Sequence, residues 1–213
     1  MAKHSDFVEQ LQIAERHLSR RDAVLRLLIR KHGPCRLRPH PRYFETLVNA
    51  IVSQQLSSKA SETILNRFRT LYSPVRFPTA VHILATEHER LRGVGLSGQK
   101  ISYLKDLSTR TQEKTLRLNR FSRMGDEEVI DMLVAVKGIG VWTAQMFLIF
   151  SLGRLNVLPV GDLGVRRAIE RGYGLGQLPE AEEIEELARE RRWHPYCSVA
   201  SWYLWRSLEK SEV

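Results

Sequence analysis

Two glycines separated by one residue, Gly138 and Gly140, interrupt an otherwise helical pattern and carry the first chemical signal in the sequence. Before them, Val129, Leu133 and Val136 recur at helical spacing, and directly after Gly140 the apolar pattern resumes. Because glycine lacks a Cβ, a tight turn here can adopt unusual dihedral angles and bring backbone N–H groups against a phosphate. The alternative interpretation is a helix–turn–helix corner that binds nothing.

A carboxylate follows the second helix of this hairpin, at Asp162 in the segment Pro-Val-Gly-Asp-Leu (159–163). The segment interrupts the helical pattern, and another helix is predicted from about residue 163 to residue 171. An aspartate directly before a helix is a common N-cap, because its side chain accepts a hydrogen bond from a first-turn N–H group. By position alone, capping is the simpler interpretation of Asp162.

Several ordered motifs resemble those of the helix-hairpin-helix DNA glycosylase superfamily (HhH-GPD) and, within it, the 3-methyladenine DNA glycosylase II family. The resemblance extends from about Phe44 to Trp205. It rests on the hairpin, on Asp162 and on three further segments: Ala-Ile-Val-Ser-Gln-Gln-Leu-Ser (50–57), Leu-Ser-x-x-Lys (96–100) and Trp-x-Pro-Tyr (193–196). It implies an all-α, two-lobed fold in which residues 1–213 form a single domain. The N- and C-terminal helices would form one lobe, the middle segment with the hairpin at 126–152 the other, and the DNA cleft and base pocket would lie between them.

The resemblance also implies an enzyme that flips an alkylated purine out of double-stranded DNA and hydrolyses its N-glycosidic bond. The product is an abasic site for base-excision repair. Asp162 would stabilise the positive charge that develops on the sugar. Relatives that also cleave the strand carry a lysine two residues after the glycine pair, where this chain has Trp142, so we expect no lyase activity. The alternative is a non-catalytic helix-hairpin-helix module that only grips DNA.

The expected base pocket contains Trp142, Trp205 and Met146. Stacking on indole faces favours electron-poor, cationic purines. The other interpretation of Trp205 is packing, since aromatic residues at helical spacing usually belong to a core. Met146, Gly161 and Cys197 depart from residues common in the family. The departure at Met146 leaves the pocket polarity and the range of damaged bases open, and Gly161 could re-aim the turn before Asp162.

The bend at Gln54-Gln55-Leu56 is expected to insert a side chain into the gap that an extruded base leaves in the duplex. Gln55 is the first choice and Leu56 the alternative, while glutamines that satisfy a helix end are the simpler interpretation. The other predicted DNA contacts, most of them to the backbone, are Gln54, Ser57, Lys59, Lys137, Gly138, Gly140 and Thr143.

No cofactor is expected for catalysis. The two cysteines, Cys35 and Cys197, cannot ligate a four-cysteine iron–sulfur cluster. In the family, backbone carbonyls of the hairpin commonly hold a monovalent cation. Here a Na⁺ or K⁺ ion would lie against the carbonyls of Val134, Val136 and Ile139.

The net charge of +9 points to a polyanionic partner, although a membrane surface or an acidic protein would also suit it. Residues 1–179 hold 28 Lys and Arg against 16 Asp and Glu, whereas 180–213 are net acidic. No apolar run approaches the roughly 20 residues that a bilayer requires. Together with the family resemblance, these observations lead us to expect a monomer that binds double-stranded DNA, has no membrane partner, and works in the cytoplasm or nucleoid of a prokaryote or the nucleus of a eukaryote.

Periodicity predicts about ten α-helices and no strands. Asp126 is expected to cap the first hairpin helix. One short helix is predicted after Pro78, another from Ser97 through Leu107, and the last from Pro195 to about Lys210.

Overall fold

The computed structural model describes residues 2–209, and the side chains of residues 6–209. No strand occurs in residues 2–209, so the all-α prediction is confirmed. A 3₁₀ segment lies at Leu118–Arg123 and a π-helical segment at Leu148–Leu152. The α-helices of this described stretch are α1 (Ala2–Arg21), α2 (Ala23–His32), α3 (Tyr43–Ser53), α4 (Ser58–Leu71), α5 (Ala80–Ala85), α6 (His88–Gly93), α7 (Gly98–Gln112), α8 (Asp126–Val134), α9 (Val141–Phe147), α10 (Leu163–Tyr173), α11 (Ala181–Glu190) and α12 (Cys197–Leu208). None of them has the length and apolar content that crossing a bilayer demands.

Two predicted helix starts were wrong. Helix α8 begins at Asp126, and its N-cap is Gly125 in an extended conformation. The Asp126 carboxylate lies in the first turn, where the helix dipole still favours a negative charge. Helix α12 begins at Cys197, so Pro195 lies outside it, in a turn closed by a hydrogen bond from the Tyr196 N–H to the Trp193 carbonyl at 2.7 Å. The predicted end at Lys210 lies outside the described residues.

Two predictions in the middle of the chain were also incomplete. The segment after Pro78 forms α5 and α6 rather than one short helix. Helix α7 continues beyond the predicted end at Leu107 to Gln112. The Ser108 hydroxyl donates to the Leu104 carbonyl at 2.7 Å, so this side chain is satisfied inside the helix instead of competing with it.

The chain divides into two compact units, and the first draws on Met1–Pro39 and Gly153–Val213. It contains α1, α2 and α10–α12, and in it α12 packs against α2 and α10. Its apolar core is fully buried and includes Leu18, Leu25, Val165, Ile169 and Leu204. This unit carries Asp162.

A buried aspartate, Asp22, joins separate segments of the first unit. One carboxylate oxygen accepts the Leu25 N–H at 3.0 Å and caps α2. The other accepts the Tyr173 hydroxyl at 2.5 Å and the Trp193 indole N–H at 2.8 Å. Burial, and then the nearby carboxylate, raise the pKa of Tyr173, so the phenol stays protonated and donates. Asp22 is 1% exposed, and water cannot replace a lost acceptor here.

We expect Asp22→Asn to lower the free energy of unfolding by about 2 kcal/mol. Asparagine still caps a helix, but its amide NH₂ would face the Tyr173 and Trp193 donors in place of an acceptor. Denaturant unfolding of the variant measures the loss, with Glu9→Gln on the exposed side of α1 as a charge-matched control. A loss below about 0.5 kcal/mol would show that the two donors do not depend on this carboxylate.

The second unit spans His40–Leu152 and contains α3–α9. Helix α7 packs against α3, α5 and α6, and α8 packs against α9. The residues predicted to form the inner face of the first hairpin helix are buried, namely Val129, Leu133 and Val136. The helix–turn–helix organisation of this segment is therefore confirmed, and it fixes the two glycines on one turn.

Candidate functional site

The turn between α8 and α9 requires glycine at position 138 for two independent reasons. Gly138 has φ +80°, in the left-handed region that other residues rarely adopt. A Cβ built on Gly138 would also lie 2.1 Å from a ring carbon of Tyr103. The fold of the turn itself therefore demands this glycine.

Gly140 differs, because no contact in the described structure demands its missing side chain. Gly140 is the N-cap of α9 with φ −97° and ψ 173°, a conformation that any residue can adopt. The prediction of unusual dihedral angles is therefore confirmed at Gly138 and wrong at Gly140. A Cβ at this position would meet nothing within 4 Å. Because Gly140 has no side chain, another group can come close to the backbone N–H groups at the start of α9. The first N–H groups of a helix have no carbonyl partners within the helix. This is the arrangement that a phosphate contact requires.

In the bend between α3 and α4, one glutamine contacts the hairpin and the next is exposed to solvent. The Gln54 side-chain Nε2 donates to the Gly138 carbonyl at 2.8 Å, so it connects the bend to the hairpin. Gln55 follows with φ +56° and is exposed, and Leu56 is 37% exposed. Ser57 caps α4 through its hydroxyl. Gln55 and Leu56 both remain candidates for insertion into DNA, and the Gln54 amide nitrogen is engaged within the protein.

Lys100 stabilises the same bend from the first turn of α7. Its ammonium donates to the Val52 carbonyl at 2.6 Å and to the Gln54 carbonyl at 2.8 Å. These carbonyls lie at the end of α3, where backbone acceptors lack helical partners. Burial lowers the pKa of Lys100. The sequence placed Lys100 in a motif but did not indicate this contact.

Exposed cations lie near the bend and on the hairpin. Lys59 lies in the first turn of α4, and Lys137 directly precedes Gly138. The Lys137 backbone N–H donates to the Asp106 carboxylate at 2.9 Å, which anchors the start of the turn. Burial opposes ionisation of Asp106, but hydrogen bonds from Lys137 and Arg110 hold its pKa below the usual range. The Lys137 side chain is exposed, although its backbone N–H is held by Asp106.

A cavity of about 720 Å³ lies in the second unit, beside the hairpin and the bend. Three predicted site residues on α9 line it: Trp142, Thr143 and Met146. Trp142 is 51% exposed, so part of its indole is accessible. Sequence reasoning missed other lining residues from different helices, among them Thr46, Ala50, Tyr103 and Phe150. A mostly apolar cavity with aromatic walls is typical of sites for flat organic groups.

Asp162 caps α10 in the first unit, as its position predicted. Its Oδ1 atom accepts the Val165 N–H at 2.8 Å. The same oxygen accepts the indole N–H of Trp205, from α12, at 2.7 Å. Asp162 is 8% exposed, so these two donors hold a largely buried carboxylate in one orientation. An oriented carboxylate in such a setting can stabilise a cation that develops during a reaction.

Both cysteine side chains are buried and sit in the first unit. Burial raises the pKa of Cys35 to about 12, and it raises the pKa of Cys197 to about 12 as well. Because the thiolate is the nucleophilic form, neither residue can supply a nucleophile at neutral pH.

Comparison with known families gives a match over residues 48–194 to the HhH-GPD superfamily base excision DNA repair proteins. The matched range covers most of the chain and includes the bend, the hairpin and Asp162. The protein belongs to the HhH-GPD superfamily. In this HhH-GPD protein, Trp142 stands two residues after Gly140 and lines the cavity.

Relatives of this HhH-GPD protein match it over almost its full length. It is 35% identical to "Alkylbase DNA glycosidase-like protein mag2" of Schizosaccharomyces pombe, over 97% of this chain and 96% of the relative. It is 34% identical to "DNA-3-methyladenine glycosylase 1" of the same organism, over 97% of this chain and 92% of the relative. A solved structure of the S. pombe 3-methyladenine DNA glycosylase Mag1 in complex with abasic DNA superposes with a TM-score of 0.78 at 34% identity, covering 91% of this chain and 95% of that one.

Proposed function

We propose that this protein is a monofunctional DNA glycosylase that removes alkylated purines of the 3-methyladenine class from double-stranded DNA. The observation that carries the proposal is the carboxylate of Asp162, which is largely buried and held by the Val165 N–H and the Trp205 indole. Membership of the HhH-GPD superfamily and the names of the full-length relatives support the same reaction. The abasic product would enter base-excision repair.

The reaction breaks the bond between the sugar C1′ and the purine nitrogen, and the base leaves with the electron pair. An alkylated cationic purine leaves as a neutral molecule, so the base itself needs no proton from a general acid. The sugar becomes oxocarbenium-like, and the negative charge of Asp162 stabilises it. Water then supplies the hydroxyl group at C1′ and loses one proton to the solvent.

The remaining residues bind and select the substrate. In the second unit, Trp142 offers an indole face on which an electron-poor base can stack, and Met146 contributes an apolar wall to the same cavity. Trp205, in the first unit, is the other residue to which we assign stacking. Gln55 or Leu56 fills the gap in the duplex, and the hairpin at Gly138 and Gly140 contacts the DNA backbone. The further backbone contacts are assigned to Ser57, Lys59, Lys137 and Thr143.

We propose that the carbonyls of Val134, Val136 and Ile139 would hold a Na⁺ or K⁺ ion, because hard cations take oxygen ligands. The Val136 carbonyl accepts the Ile139 N–H at 3.1 Å, and a carbonyl oxygen keeps a second lone pair for a ligand. A bound cation would add positive charge to a hairpin that contacts phosphate. The steps at the sugar depend on Asp162 and not on this ion.

Its partner is damaged double-stranded DNA, and we infer that the protein acts as a monomer. Because its substrate is DNA, it works inside the cell, in the nucleoid or the nucleus according to the source.

The function is tested by incubating the protein with methylated duplex DNA and separating the released free bases by chromatography. We expect methylated purines in the supernatant and abasic sites in the DNA. Deaminated and etheno-adducted duplexes, assayed in parallel, define the range of bases. If no base is released while the duplex is bound, the protein is a DNA-gripping module and not a glycosylase.

We expect borohydride to trap no covalent adduct between protein and DNA during turnover, and strand breaks to appear only after heat or alkali. Trp142 occupies the position at which lyases carry a lysine. Lys100 also lines the cavity, but its ammonium is held by two carbonyls and does not offer an amine lone pair. Gel electrophoresis of the borohydride-treated mixture gives the readout. A shifted band that disappears in Lys100→Met would show that Lys100 is a nucleophile and would refute simple hydrolysis.

A further inference from the structure

The Trp205 indole lies against the Asp162 carboxylate in the first unit. Its N–H donates to Oδ1 at 2.7 Å, and the Val165 N–H donates to the same oxygen at 2.8 Å. One donor belongs to the backbone of α10 and the other to a side chain of α12. Because both meet Oδ1, together they fix the rotation of the carboxylate as well as its position.

Gly164 provides the space for this arrangement. A Cβ built on Gly164 would lie 3.0 Å from Asp162 Oδ1, 3.0 Å from Trp205 Cδ1 and 3.2 Å from Trp205 Nε1. These separations are tighter than ordinary van der Waals contact, so a side chain would press on both partners of the hydrogen bond. Gly161, on the other side of Asp162, would meet nothing within 4 Å if it carried a Cβ.

We propose that Trp205 and Gly164 are positioning residues for Asp162, with Trp205 acting through its indole N–H and Gly164 through the absence of a side chain. The inference rests on the proposed function, because it assumes that Asp162 stabilises the sugar cation. A carboxylate aligned before the reaction begins does not have to reorient when positive charge develops. The contribution of Trp205 through Asp162 concerns the sugar and therefore does not depend on which base leaves.

The first experiment replaces Trp205 with phenylalanine, which keeps an aromatic ring and removes the N–H donor. We expect single-turnover excision to slow roughly tenfold, by a similar factor for every base that the enzyme releases, since a hydrogen bond to a charged group is lost. Affinity for undamaged duplex should not change. If slowing is confined to cationic bases, Trp205 acts by stacking on the base and the positioning role is wrong.

A double-mutant cycle with Asp162→Asn tests whether Trp205 acts through Asp162. Once the negative charge is gone, Trp205→Phe should slow excision by less than about twofold further. A further tenfold loss in the Asp162→Asn background would overturn the inference. If Asp162→Asn itself excises at the parental rate, the proposed function fails instead, so the two failures are distinguishable.

Gly164→Ala with Gly161→Ala as its control provides an independent test. Alanine is the better helix former by about 1 kcal/mol, which offsets strain from the close Cβ, so Gly164→Ala at the second position of α10 should change the melting temperature little. It should slow excision about fivefold, because a displacement of a few tenths of an ångström misaligns the carboxylate. Gly161→Ala should excise at the parental rate. Equal rates for both alanine variants would show that the space at Gly164 does not position Asp162.

Discussion

Asp162→Asn is expected to slow base excision by about a hundredfold or more while the protein stays folded. Losing one electrostatic stabiliser of a charged transition state typically costs about 2.7–4 kcal/mol. Asparagine keeps the size of the side chain and an oxygen that can accept the Val165 and Trp205 N–H groups. The change therefore removes the negative charge and retains most of the cap.

Single-turnover release of methylated purines measures this effect, with thermal melting and duplex binding recorded on the same preparation. Asp131→Asn is a matched control, because Asp131 is an exposed aspartate on the hairpin helix α8. It should leave excision close to parental. Excision by Asp162→Asn at the parental rate would reduce Asp162 to a helix cap and leave the DNA-gripping module as the better account.

The local features of this protein could be predicted from the sequence, because they depend on neighbouring residues. The spacing of Val129, Leu133 and Val136 indicated a helix with one buried face, and the glycine pair indicated the turn after it. The cap at Asp162 followed from its position before an apolar pattern. The end of α7 was predicted at Leu107, five residues too early. Helical periodicity does not show that a polar side chain such as Ser108 is satisfied by a carbonyl of its own helix.

Contacts between distant residues were not predictable in this way. The Gln54 side chain reaches the Gly138 carbonyl, and the Asp22 carboxylate meets Trp193 across most of the chain length. Each contact depends on how helices pack, and helical periodicity shows only which face is buried. Gly164 shows the same limit, since its significance is a missing Cβ beside a tryptophan from another helix.

The two glycines of the hairpin could not be distinguished by sequence, and their difference guides the design of a DNA-binding variant. Any side chain at Gly138 would strain the turn and collide with Tyr103, so a loss of DNA binding there would only report misfolding. Gly140 has ordinary dihedral angles and open space around its Cα. It is therefore the position at which DNA contact can be tested without disturbing the fold.

Gly140→Asp is expected to weaken duplex binding by roughly tenfold to a hundredfold while leaving stability unchanged or slightly raised. Aspartate is a favourable N-cap residue, so α9 should tolerate or prefer it. The same carboxylate would repel a DNA phosphate at the start of α9 and would itself accept the first N–H groups of this helix. The phosphate would then lose a charge-assisted hydrogen bond to those N–H groups. The number of ions released on binding should fall, which reduces the dependence of log affinity on log salt by about 0.9 for one lost phosphate contact.

Gly125→Asp is the matched control for this prediction. Gly125 is the N-cap of α8, is also extended and exposed, and also has no atom within 4 Å of a built Cβ. The two variants thus carry the same change in charge at equivalent positions of the two hairpin helices. Affinity and its salt dependence should change for Gly140→Asp and remain close to parental for Gly125→Asp. An equal loss in both would mean that aspartate acts through net charge alone, and it would remove the start of α9 from the DNA contact.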